Sequence, residues 1–110
     1  MKKTTIQFRN FEDDLRERLA DYNYAKIFLS VAWEEFEKDG DVQAFLLALK
    51  DVAIAQGGIS KLARHTKLNR PNLQRTLSAQ TVPRLDTIGT ILQGLGYRFS
   101  VEPIREKEVV

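Results

Sequence analysis

Between Val52 and Leu85 the chain carries six cationic side chains, Lys61, Arg64, Lys67, Arg70, Arg75 and Arg84, and no aspartate or glutamate. Ser60, Asn72 and Gln74 are interleaved with them and add hydrogen-bonding capacity without charge. Solubility alone does not explain an acid-free stretch in a chain whose total charge is nearly balanced. This is the chemistry of a surface that lies on phosphates and reads base edges. Arginine can donate two bonds to guanine O6 and N7, and Asn or Gln can pair with adenine N6 and N7. Arg70, Asn72, Gln74 and Arg75 are therefore the candidates for base contact. Ser60, Lys61, Arg64 and Arg84 are better suited to the phosphates of double-stranded DNA, which set register without reading sequence.

Other chemistries find little to work with. The chain has no cysteine, so disulfides and thiolate-bound zinc are excluded. His65 is the only histidine and has no second imidazole or thiol for a metal site. Asp13-Asp14 and Glu34-Glu35 are neighbours along helices and point in different directions, a poor arrangement for paired acid–base work. Gly94-Leu95-Gly96 lacks the following Lys-Ser/Thr of a phosphate loop and reads as a helix stop. The reading is a protein that is not an enzyme, with no catalytic residues, no metal and no cofactor.

The basic window has to be held by something, and its own pattern says what. A fourth helix from Ser60, taken as its N-cap, to Thr66, a turn at Lys67 to Asn69 and a fifth helix from Arg70 to Leu77 form a helix-turn-helix. Ala63 is small enough for the close crossing, and Leu62, Leu68, Leu73 and Leu77 face inward. Pro71 fits the first turn of the fifth helix, where its missing N–H has no partner to lose. Upstream, Phe11, Leu15 and Leu19 predict a first helix, and Ala25, Phe28, Leu29, Ala32 and Phe36 a second from about Tyr24 to Lys38. Gly40 stops that helix and Asp41 caps a third, Val42 to Gln56, ended by Gly57-Gly58. Trp33, Tyr22 and Tyr24 are expected in the core or at its edge. Asp86 opens a last helix to Leu95, with Leu85, Ile88, Leu92 and Leu95 inward. Thr4 to Phe8 and Tyr97 to Glu102 alternate polar and apolar residues and are predicted strands, the second ended by Pro103.

A chain of 110 residues suits one domain with one modest core. Residues 1–56 hold 8 Lys and Arg against 11 Asp and Glu, whereas residues 57–110 hold 9 against 4. The expected organisation is thus an acidic helical part at 1–56, a helix-turn-helix part at 57–103 and a tail at 104–110. No apolar run approaches the ~20 residues of a membrane helix. The two lysines near the start precede no apolar core of a secretory signal, so no membrane is implied and the cytoplasm is the expected location.

Ala48 to Ala53, leading into Ile59-Ser60-Lys61-Leu62-Ala63-Arg64, Leu68-Asn69-Arg70 and Leu73 to Leu77, resembles a known family. The likeness continues through Pro83-Arg84, Thr87-Ile88 and Leu95 to Pro103. These pieces, in this order, resemble antidote proteins of bacterial addiction modules, antitoxins of the HigA-like kind with a Cro-like helix-turn-helix. The resemblance implies a mainly α, phage-repressor-like domain with an N-terminal helical extension and a C-terminal β-strand. It also implies a homodimeric repressor that binds its own operator and neutralises a RelE-like ribonuclease toxin. By that likeness base contact falls to Arg70 and Arg75, and backbone contact to Ser60, Lys61 and Arg84. Two departures matter. Lys67 stands where the family turn usually has glycine, so either a side chain tolerates a left-handed backbone or the turn differs. Pro71 and Gln74 replace the usual residues of the reading helix, so no operator sequence carries over.

Three points stay open at this level. The dimer contact can come from the last helix or from the Tyr97 to Glu102 strand, or that strand can pair with Thr4 to Phe8 within one chain. The acidic face of 1–56 can meet a basic toxin or simply solvent. A stand-alone helix-turn-helix repressor and a protein-interaction module without DNA binding are the rival functions.

Overall fold

Side-chain caps and glycine stops divide the chain into short helices. The computed structural model describes residues 2–104, with side chains from residue 11 onward. Among these, six helices follow in order: α1 Lys2–Leu19, α2 Tyr22–Asp39, α3 Val42–Ala55, α4 Ile59–Thr66, α5 Arg70–Leu77 and α6 Leu85–Gly94. The Asp21 carboxylate accepts from the backbone N–H of Asn23 and Tyr24, and that of Asp41 from Gln43 and Ala44, so α2 and α3 start where these acids satisfy otherwise unpaired donors. Gly40 ends α2 in the left-handed region at φ 72°. After α3, the N–H of Gly58 bonds to Ala53 O at 2.8 Å, which closes the helix with both glycines at positive φ.

α3 is the axis of the core. Its Phe45, Leu46, Ala48, Leu49, Val52 and Ala53 are all buried. α1 and α2 pack on it from one part of the chain, and α4 and α5 from the other. Leu19, Leu29, Leu62, Leu73 and Leu77 complete the cluster, and α6 joins through α4 with Ile88, Ile91 and Leu92. The mainly α class follows from this packing.

The two predicted strands do not form. Residues 97–104 lie in neither helix nor strand, and Thr4 to Phe8 belongs to α1. The causes are linked. No Gly or Pro interrupts the chain between Lys2 and Phe11, so α1 runs on toward the start and removes the expected partner. An alternating segment without a neighbouring edge has nothing to bond to. Residues 97–104 instead form an extended arm held by side chains. Tyr97 stacks on Tyr22 with ring centroids 4.6 Å apart, its hydroxyl donates to Tyr22 O at 2.9 Å, and Phe99 meets Trp33 at 5.1 Å. Burial pushes the Tyr97 hydroxyl above its usual pKa, against the lowering effect of its bond from Gln56.

Other expectations need smaller corrections. Phe11 is exposed rather than aligned inward with Leu15 and Leu19. Leu85, the first residue of α6, is 74% exposed, and Ile91 is buried with Ile88 and Leu92. Tyr22 and Tyr24 lie on the surface and Trp33 is half-buried at the core edge. Residues 105–110 of the expected tail lie outside the described residues, and no single described helix is long and apolar enough to cross a membrane.

The α4–α6 crossing depends on Gly94. A Cβ there would run into Thr66 Cγ2 and lie 2.9 Å from Leu62 Cδ1, whereas a Cβ on Gly89 of the same helix would meet nothing within 4 Å. Gly94→Ala is expected to destabilise the fold by about 1–3 kcal/mol through overpacking. Gly89→Ala is expected to stabilise it by about 0.5–1 kcal/mol through helix propensity. Urea titrations of the two variants give the opposite signs directly; equal shifts would contradict this packing.

Candidate nucleic-acid interface

α4 and α5 are joined by Lys67, Leu68 and Asn69, and each residue of that turn has a separate task. Lys67 takes φ 61° and ψ 17°, so the left-handed position that suits glycine is occupied here by a lysine. Its N–H still closes α4 on Ala63 O at 2.8 Å. Thr66 clips the turn from both sides: its hydroxyl donates to Leu62 O at 2.9 Å and accepts from the Leu68 N–H at 3.2 Å. Leu68 tucks against the core. Asn69 then caps α5, its side-chain oxygen accepting from the Asn72 N–H at 3.3 Å.

α5 is amphipathic in a way that fixes its outer face. Leu73 and Leu77 are buried against α3 and α4. Arg70, Asn72, Gln74 and Arg75 are all exposed. Arg75 donates through Nη2 to Asn72 Oδ1, so two of the four candidate base-reading groups are already ordered relative to each other. Pro71 lies in the first turn, as its missing donor allows.

The candidate phosphate contacts lie outside this helix. Ser60, Lys61 and Arg64 are exposed on α4, and Arg84 is exposed at the start of α6, where it pairs with Asp86 at 3.2 Å. Ser60 is not the cap of α4. That position is Gly58, at φ 95° and with no side-chain bond, which leaves the first N–H groups of α4 without a side-chain partner. All eight sequence-derived site residues are thus solvent-facing, on α4, α5 and the N-cap of α6.

Sequence reasoning missed three supporting residues. Asn69 could have been found as an N-cap from its place two residues before Pro71. Thr66 carries no such signal, since its role depends on a bond across the turn. Ala79, at φ 63°, is a second left-handed residue without a glycine, so α5 is bracketed by two of them. His65 is exposed, and among the described residues no group of three or more acidic or histidine side chains converges as metal ligands would.

A family model for probable addiction module antidote proteins matches residues 10–103, which takes in the described helices from α2 to α6 and the arm up to Pro103. No curated protein and no solved structure matches the chain.

The left-handed lysine gives a direct test of the turn. A side chain at this φ and ψ costs about 1–2 kcal/mol, part of which glycine returns as backbone entropy on unfolding. Lys67→Gly is therefore expected to raise stability by up to about 1 kcal/mol. Thr66→Val, which cannot bridge Leu62 and Leu68, is expected to lower it by about 1–2 kcal/mol. Thermal melts of both variants decide the matter, and a destabilised Lys67→Gly protein would show that the turn does not have this geometry.

Proposed function

The chain belongs to the family of probable addiction module antidote proteins, and on that premise we propose that it binds its own operator DNA as a homodimeric repressor and neutralises a RelE-like toxin. An antidote implies a cognate toxin, so the class of partner comes with the family. The DNA and the ribonuclease chemistry of the toxin are the further content of the reading, which makes the chain a cytoplasmic regulator and not an enzyme.

One observation carries the DNA half. The acid-free window forms two helices with buried leucines on one side and Arg70, Asn72, Gln74 and Arg75 exposed on the other. That is what a reading helix in a major groove requires, with α4 lying across the backbone. Lys61, Arg64 and Arg84 add cations around it, suited to phosphate contacts whose strength falls with salt. One such unit covers little DNA, so two copies on half-sites about 34–36 Å apart are the natural arrangement.

The toxin half rests on charge. A toxin that cleaves RNA must hold an anionic substrate with cations, and the part of the chain outside the helix-turn-helix is acidic.

Gel-shift titration against the DNA upstream of its own gene tests the repressor reading. Sub-micromolar binding that weakens steeply between low and physiological salt is expected. Arg70→Ala combined with Arg75→Ala is expected to remove specific binding, at about 1–3 kcal/mol for each bidentate contact, while toxin binding persists. Unchanged DNA affinity in the double variant would refute the assignment of these two arginines.

A further inference from the structure

α2 has two apolar faces, and the fold uses one. Ala25 and Leu29 are buried on the inner side, with Phe28, Ala32, Trp33 and Phe36 packed beside them. Tyr24, Ile27 and Val31, spaced i, i+3, i+7, lie on the opposite side at 38%, 62% and 51% exposure. A surface helix that is already docked has no internal reason to place three large apolar side chains in one outward row. Such a row marks a contact made with something else.

We infer that this outward face of α2 is the docking surface for the toxin, with Tyr24, Ile27 and Val31 as its centre and Glu34 and Glu35 at its edge. The assignment rests on the antidote reading and deepens it, naming the surface and the complementary chemistry: an apolar patch bordered by cations. Three observations select that occupant. Glu34 and Glu35 are exposed one turn beyond Val31, Glu35 in a long surface pair with Lys38 at 3.8 Å, and the whole 1–56 part has 11 acids against 8 bases. A basic partner is attracted to that field, whereas DNA is repelled and a second copy presenting this same face is repelled as well. α2 is also capped by Asp21 at its start and by Gly40 at its end, so its row is held in register before any partner arrives. Finally, α2 packs on α1 and α3 and makes no contact with α5. A toxin centred on this face is centred on a helix separate from the one that carries Arg70 and Arg75.

The test uses the full-length chain and the purified product of the adjacent reading frame, with affinities from calorimetry. Ile27→Lys combined with Val31→Lys puts two cations into the centre of an exposed face, and circular dichroism reports whether the fold persists. Toxin affinity is expected to fall at least about 100-fold, with binding to the upstream DNA unchanged. Ile27→Ala combined with Val31→Ala makes the same test without added charge, should the lysine pair disturb folding, and is expected to weaken the complex at least about tenfold. Glu34→Gln with Glu35→Gln is expected to reduce mainly the association rate and its salt dependence. Wild-type toxin affinity in the alanine pair overturns the surface and leaves the antidote reading intact. A wild-type chain that does not bind the neighbouring product overturns both. Sedimentation of the free chain covers the remaining occupant: a dimer that the alanine pair converts to monomer would assign the face to self-association.

Discussion

The structure depends on the burial of α3. Leu46, Leu49 and Val52 are fully enclosed, and four other helices take their positions from contact with this one. Removing one such leucine side chain costs about 2–5 kcal/mol, a large share of the roughly 5–15 kcal/mol that holds a small domain together. None of the residues assigned to DNA or toxin lies on α3. It acts as the common support for α4 and α5, which carry the cations of the basic window, and for α2, which carries four acids against two bases.

Sequence periodicity made most of that frame legible. The i, i+4 rows of Leu15 and Leu19, and of Ala25, Phe28, Leu29, Ala32 and Phe36, name the faces that the structure buries or half-buries. Gly40, Asp41 and Gly57-Gly58 mark helix ends because their preference is local and needs no tertiary partner. The basic window could be read for the same reason: charge and side-chain type belong to the residues themselves. What failed was pairing. Alternation in Tyr97 to Glu102 describes a segment that could be a strand, but whether it becomes one depends on a partner edge, and the candidate partner had been absorbed into α1. Gly94 was legible as a stop but not as the contact point of α4 and α6, since that crossing exists only once Thr66 and Leu62 face it.

The outward row of α2 was hidden for a different reason. Tyr24, Ile27 and Val31 share a helix with a much stronger inner row, and an apolar residue in a helical pattern is ordinarily assigned to the core. Only exposure separates the two faces. The arm beyond α6 bears on the same helix: Tyr97 and Phe99 fasten it to Tyr22 and Trp33 along another side of α2. α2 is thus contacted by α1 and α3 and on a flank by the arm, while the row at Ile27 is exposed among the described residues.

The turn before α5 shows how function and stability are traded in this chain. A left-handed residue costs a lysine about 1–2 kcal/mol more than it costs a glycine, yet Lys67 holds φ 61° and Ala79 holds φ 63° on either side of α5. Such strain persists only where neighbouring bonds over-determine the backbone. Thr66 supplies that determination at the first position by bonding to Leu62 O and Leu68 N, and Asn69 fixes the next step by capping α5. In return the turn carries a cation at the point where α4 hands over to α5, between Arg64 and Arg70. A glycine would make the same turn with less strain and no charge. The chain keeps its stability elsewhere, in α3, and holds a strained cationic residue at the turn that leads into α5.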